Sequence, residues 1–363
     1  MSIHDYLNYN SENTDLIDNL RKKILLKRCY FNMKRLIFSL FLSSHLINCN
    51  IKVGEMNSDF VRNYKKVSEV IVSEFDFLAT IYSVKVSNDF IFFDNFTERQ
   101  IKKIDFSGNI IKTYGKKGSG PGEFLRIDGW SINDSNLFFW DSAALRITSI
   151  SKNIQTYNLS EDFMRAEQLN ENEFIFFDIN WQDKKGNFSK YSLIDRKKNL
   201  LAVELPPQIK HPLSFDGFFT RNKLQEVIFV SYKMGYFIKF SKDGEVIFSQ
   251  PTVDKSPPVK IMEENGKTFA DPKALSSIIY SCDADEKYLF ICSKLKSIGD
   301  FKDNRNSIDI YDLANGEYRF SLHLGKLEDE PIRNFVWVEE KNEAVIYQGQ
   351  KIKIVKFNES IYE

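Results

Sequence analysis

Four glycines and two lysines fall between Gly115 and Gly122, in the run GKKGSGPG. Spaced glycines beside a lysine form a cradle of backbone N–H groups for phosphate when the loop follows a strand and opens a helix. Here the loop follows NIIKTYG, which reads as a strand, and leads into RIDGWSIN, which reads as another. No helix follows, and the spacing departs from the Walker pattern. The glycines are therefore expected to supply positive φ in a tight crossing between strands, with Pro121 stiffening it.

Other residue types capable of chemistry are scattered. A zinc site needs three or four convergent ligands, and the fold-forming part of the chain holds only His211 and His323, far apart. No G-x-S-x-G or H-E-x-x-H pattern occurs. The acidic run DADE (283–286) lacks the ligand spacing of a calcium loop. Trp181, in INWQDKKGNF, is the leading candidate contact, because an exposed indole stacks on a sugar ring or anchors a peptide. His211, in QIKHPLSFDGFF, is a second candidate. Arg126 and Lys117 suit an acidic ligand. Asp94, Asp141 and Asp178 each end an apolar strand-like run; there they either bind a cation or polar ligand, or accept backbone N–H bonds and shape the next loop. No catalytic residue is assigned.

The elements that must position these residues are all strands. The chain has 50 basic and 50 acidic residues, so no bulk charge draws it to nucleic acid, and none is expected as a partner. Aromatics make up 14%, with 32 Phe and 16 Tyr, a composition that favours half-buried pleated surfaces. A hairpin motif recurs, starting at Ile101, Arg146, Lys190, Tyr236, Ser307 and Lys351. Each copy is an alternating strand, a turn rich in Asn, Asp, Gly, Ser or Lys, and a second strand. Copies recur about every 45 residues, apart from one interval of about 71 that implies an insertion. Before each lies a nearly continuous apolar run: DFIFFD, NLFFWD, EFIFFD, EVIFVS, KYLFIC and EAVIYQ. That is the signature of a strand buried on both faces. Weaker first strands precede these, among them ATIYSVKV (79–86), DGWSIN (128–133) and NFVWVEE (334–340). Four strands per unit and six units predict an all-β, six-bladed β-propeller with four antiparallel strands per blade, spanning 68–363. The last strand, SIYE, is stubby, whereas SEVIVSEF (68–75) alternates well and has no blade of its own. It is expected to close the ring on the last blade and cover its edge.

The N-terminal part reads differently. MKRLIFSLFLSSHLINC (33–49) has a basic start, an apolar run and small or polar residues before a cysteine, the layout of a secretory signal. The run from Leu36 to Ile47 is too short to span a bilayer. LINC resembles a lipobox, with Asn48 the departure from its pattern, so Cys49 is the expected lipidation site and Met33 the expected start. Residues 1–49 are thus read as extension and signal, and 50–67 as a linker. The expected location is the cell envelope, with the membrane reached through the lipid anchor. Cys282 and Cys292 flank DADEKYLFI; their even separation predicts both side chains on one face of a hairpin, as either a disulfide or two buried thiols.

GKKGSGPGEF resembles the inter-blade segment of NHL- or TolB-like propellers, and closely that of the six-bladed propeller lipoproteins of Bacteroides-type bacteria. That resemblance implies the same fold and little specific chemistry. Some six-bladed propellers are calcium-dependent lactonases or lyases, so a calcium-dependent hydrolase or lyase with a site in the central channel is the alternative reading; otherwise no cofactor is expected. In an up-and-down blade, turns 1–2 and 3–4 leave at one end, and turns 2–3 and the blade crossings leave at the other. The long segments 115–127, 179–189, 205–217, 250–275 and 294–306 all fall in the second set. Long loops on a rigid scaffold carry binding. The sequence therefore predicts a monomeric propeller that binds a glycan, a peptide or an envelope protein through its long-loop face.

Overall fold

The computed structural model describes residues 60–362, apart from 78, 134–135, 181–184, 210, 265–266, 272–277, 296–306 and 325–329. Six four-stranded antiparallel blades account for nearly all of the regular structure. Their innermost strands are Val84–Ser87, Gly129–Asn133, Arg165–Gln168, Gly217–Arg221, Ile279–Ala284 and Ile332–Val338, for blades 1 to 6 in order. Each inner strand neighbours those of the blades before and after it, and blade 6 returns to blade 1, so the ring is closed.

The apolar second strands explain the closure physically. In blade 1, Ile91 and Phe93 point toward blade 6, while Phe92 points toward blade 2. In blade 2, Leu137 and Phe139 pack against blade 1, and Phe138 and Trp140 against blade 3. A strand sandwiched between two sheets has no face left for water, which is why alternation disappears from its sequence. Apolar clusters fill all six gaps between blades, including the gap joining blade 6 to blade 1. The largest buried side chains are mostly phenylalanines, such as Phe177, Phe188 and Phe229, whose ring centroids lie 5.0–5.2 Å apart.

Glu69–Asp76 forms the outer strand of blade 6, antiparallel to Lys351–Phe357. The N-terminal strand thus supplies what the C-terminal blade lacks, as the unclaimed alternation of SEVIVSEF predicted. Residues 360–362 form no strand; Ile361 is instead buried against blades 5 and 6. Residues 60–67, read from sequence as the end of a linker, dock on blade 5. There Tyr64–Lys66 pairs in parallel with Tyr318–His323 as a fifth strand. Arg62 fixes this segment. Its Nε donates to Asp309 Oδ1 at 2.7 Å, and its terminal nitrogens donate to Asp309 Oδ2 at 3.1 Å and to the Leu295 carbonyl at 2.7 Å.

Two further expectations change. Residues 179–189 are not a long loop: Glu173–Asn180 and Lys185–Ser192 stay paired through Asn180 and Lys185, so the blade 3 hairpin is extended. Cys282 and Cys292 are free thiols on opposite faces of their hairpin. Cys282 lies opposite Ile291, and Cys292 opposite Ser281. A three-residue turn, Asp285–Lys287, reverses the parity that holds along one continuous strand. Burial pushes the Cys292 thiol up to about 12 and raises Cys282 as well.

Candidate functional site

Antiparallel alternation sends every first strand away from the face bearing the blade crossings and every second strand back to it. The short turns, such as 88–89, 151–153 and 241–245, lie at the opposite end. The crossings 115–128, 201–216 and 252–278 gather at one rim, the last carrying an extra hairpin, Ile261–Glu264 with Lys267–Ala270.

The glycine-rich crossing is locked from within. Glu123 accepts the Gly120 N–H at 2.9 Å and pairs with Lys116 at 3.0 Å. Arg146 donates to the carbonyls of Ser119 (3.1 Å) and Glu123 (2.5 Å). Carbonyls turned onto an arginine present the polarity opposite to that of a phosphate cradle. Gly115 has φ +79°, and a Cβ there would lie 2.4 Å from the Phe124 ring, so the position demands glycine twice over.

Asp94 Oδ1 accepts the backbone N–H groups of Tyr82 and Ser83, both at 2.8 Å. Burial raises its carboxyl to about 7, against the pull of those two bonds. Asp141 accepts the N–H groups of Arg126 (3.1 Å) and Ala144 (3.0 Å). Asp178 pairs with Lys198. Each of the three ties a loop or strand to its blade, and they come from three different blades. Arg126 pairs with Asp128 and donates to Ser142 Oγ at 2.9 Å. Lys117 is exposed on the glycine-rich crossing. His211 is buried at the start of a short 3-10 turn; its Nδ1 accepts the Leu213 N–H at 3.2 Å, and its carbonyl accepts Ser214 Oγ–H at 2.6 Å. Trp181 lies outside the described residues.

A different set of side chains surrounds the channel mouth at this rim. Tyr280 and Arg333 are the second residues of the inner strands of blades 5 and 6. Lys233 and Lys294 follow the second strands of blades 4 and 5. Tyr82 precedes the inner strand of blade 1, is 51% exposed and meets Phe96 edge to face at 4.9 Å. The Lys294 ammonium sits over the Tyr280 ring at 4.1 Å, a cation–π contact. Burial, then the nearby Arg333 charge, lowers Lys294 to about 8. The same Arg333 charge reaches Tyr82, Tyr280 and Tyr347. Arg333 is exposed and makes no ion pair among the described residues. Burial lowers Lys233 too, opposed by the nearby Asp216 charge.

Beside Lys233 the charges are paired. Arg165 grips Asp216 through two bonds of 3.0 and 2.9 Å, and Tyr232 donates its hydroxyl to the same carboxylate. Below the mouth, side chains cross the axis. Lys85 of blade 1 reaches Glu167 of blade 3 at 3.6 Å and lies 5.7 Å from the Trp130 ring of blade 2. Arg221 of blade 4 donates to the Ile132 carbonyl of blade 2 at 2.9 Å. Among the described residues no three His, Cys, Asp or Glu side chains converge as a metal site would require.

A groove of about 460 Å³ lies elsewhere, on the rim of blade 5 between Tyr64, Tyr288, Phe320 and Tyr362. It is the seam of ring closure: Lys65 there donates to the Ile361 carbonyl at 3.2 Å, and Tyr362 to Asp285. The mouth residues escaped the sequence reading because they come from separate blades. The rule that singled out Asp94, Asp141 and Asp178 at the ends of second strands finds Lys233 and Lys294 when applied to basic residues.

Among curated proteins none matches. Structures similar to this chain include a member of the DUF4221 family from Bacteroides vulgatus, 13% identical with a TM-score of 0.53, covering 80% of this chain and 98% of that one. Virginiamycin B lyase from Staphylococcus aureus is 13% identical with a TM-score of 0.48, covering 80% and 99%. An auxiliary nutrient binding protein from Bacteroides thetaiotaomicron is 10% identical with a TM-score of 0.46, covering 78% and 70%. The family model that matches the sequence, over residues 73–247, is DUF5128, described as a 6-bladed beta-propeller, and the chain is accordingly a six-bladed β-propeller.

Proposed function

We propose that this propeller binds a ligand or a segment of a partner protein at the channel mouth on its long-crossing face. We further propose that it does so in the cell envelope, as a monomer tethered through a lipid on Cys49. The observation that carries the binding reading is the meeting of Tyr82, Tyr280 and the exposed Arg333, from blades 1, 5 and 6, at the crossing end of a channel crossed by side chains. Aromatic rings beside an arginine on rigid blades present a fixed contact surface. The signal-like sequence ending at Cys49 supports the location.

The test is a glycan and peptide binding screen on the full chain. Tyr82→Ala and Tyr280→Ala probe the long-crossing face. Lys223→Ala, in the short turn 222–226 beside Glu339 and Glu340, probes the opposite face. Binding reduced tenfold or more by Tyr82→Ala or Tyr280→Ala and unchanged by Lys223→Ala supports the reading; the reverse pattern overturns it. Fatty-acid labelling of wild type and Cys49→Ser tests the anchor, and equal label in both refutes it.

A further inference from the structure

Ring closure leaves apolar side chains in water on the rim of blades 5 and 6. Val61, next to the buried Arg62, is 69% exposed. Val70 and Val72 turn outward from the Glu69–Asp76 strand, whereas Ile71 turns into the gap between the two blades. Asn63 and Tyr64 then line the seam groove, together with Tyr288, Phe320, Tyr362 and Arg319. Resting on the reading of Cys49 as a lipid anchor, we infer that this rim lies against the membrane, with its valines and rings in the headgroup layer of a phospholipid bilayer and Arg319 on a lipid phosphate.

The reach of the chain selects the occupant. Val61 lies twelve residues after Cys49. A peptide spans at most about 3.6 Å per residue, so this tether reaches at most about 43 Å. A compact domain of about 300 residues has a radius of gyration of about 19 Å and is therefore about 50 Å across. The rim where the tether arrives stays next to the bilayer. Laying the opposite rim on it, blades 2 and 3, would need a tether that runs around the body, which is beyond that reach. The chemistry of the rim fits the same occupant. Contact with a membrane surface draws on buried apolar area and on attraction between charges. The valines and ring faces supply the first, and tyrosine suits the boundary because its ring is apolar and its hydroxyl wet. Arginine grips phosphate through paired N–H bonds, and Arg319 is exposed with no ion pair among the described residues. Lys287, exposed and 6.0 Å from the Tyr362 ring, adds a second cation. Lys65 is already engaged: it sits 5.4 Å over the Phe320 ring and donates to the Ser360 and Ile361 carbonyls, so it holds the groove together rather than binding lipid. With this rim on the membrane the channel axis runs along the surface, and the mouth stays open to solvent.

The test puts a nitroxide on the full chain bound to phosphatidylglycerol–phosphatidylethanolamine vesicles. One label sits at Asn63→Cys in the groove wall and the other at Gln155→Cys on the outer strand of blade 2, with the unsubstituted chain as the blank; both native residues are exposed. Power saturation with a water-soluble nickel complex reads the depth of each label. The Asn63 label is expected to meet the complex roughly tenfold less often than the Gln155 label, as immersion in the headgroup layer requires. Val61→Asp with Arg319→Glu should bring the two labels level. Because both of those side chains are exposed, the melting temperature should hold, which separates lost docking from misfolding. Equal access to both labels on the unaltered rim, a deeper Gln155 label, or indifference to the double variant overturns the inference. So does shielding of the Asn63 label that persists without vesicles, which would put a protein surface on the seam. Cys49→Ser separates this outcome from the anchor reading. If that variant stays on the vesicles with the same depth profile, the anchor falls and the rim stands. If the chain is held through Cys49 and both labels face water, the anchor stands and the rim falls.

Discussion

Replacing Arg62 by alanine should undo the docking of the N-terminal segment. Arg62 is fully buried, as is its partner Asp309, and it bonds both carboxylate oxygens and the Leu295 carbonyl. Its guanidinium also lies 4.9 Å from the Phe60 ring. With arginine gone, Asp309 keeps the Ser321 hydroxyl at 2.5 Å. Removing one partner of a buried pair costs about 3–5 kcal/mol, because the other charge stays buried without compensation. For a domain of this size each kcal/mol moves the melting temperature by about 2 °C. Arg62→Ala is therefore expected to melt about 6–10 °C below wild type, with faster amide exchange in Tyr64–Lys66 and Glu69–Asp76. Replacing both partners, Arg62→Met with Asp309→Leu, removes the stranded charge and should recover most of the loss. Calorimetry with hydrogen exchange measures both effects. An Arg62→Ala protein that melts within about 1 °C of wild type with unchanged exchange at 64–76 would refute the reasoning. So would a double variant less stable than Arg62→Ala.

Other consequences follow from the same structure. Asp94 and Asp283 are both raised by burial to about 7, so the folded state takes up their protons more readily than the unfolded chain. Their contribution is greatest below the ordinary value of 3.8 and is lost as pH rises to about 7. Asp94→Asn keeps an oxygen for the Tyr82 and Ser83 N–H groups and should flatten part of that decline; the full displacement corresponds to at most about 4 kcal/mol. Denaturant titrations from pH 4 to 8 with the same slope for variant and wild type would contradict this. Gly115→Ala should cost more than about 1 kcal/mol, from the positive φ and the Phe124 contact, whereas Lys117→Ala on the exposed side of the same crossing should stay within about 0.5 kcal/mol; urea unfolding of the pair decides.

Much of the fold was legible in the sequence because its strongest signals have simple causes. DFIFFD and EFIFFD read as doubly buried strands, since Phe92 and Phe93, or Phe176 and Phe177, serve gaps on opposite sides of one blade. SEVIVSEF could be placed because alternation without a blade leaves only the open edge. Tyr64–Lys66 could not, because three residues in a parallel pairing carry no periodic signal. The parity of Cys282 and Cys292 depends on turn length, which composition does not fix. The mouth was least legible of all. Arg333, Lys294 and Tyr280 become neighbours through blade geometry, and only the register at the crossing end of each strand brings them to one rim.

A crystal structure of the full chain soaked with the tightest binder from the glycan and peptide screen tests the central claim most directly. Ligand density over Tyr280 and beside Arg333 and Lys294, at the crossing end of the axis, is the predicted result. Density at the short-turn end near Lys223, or in the closure seam by Tyr288 and Tyr362, would contradict it.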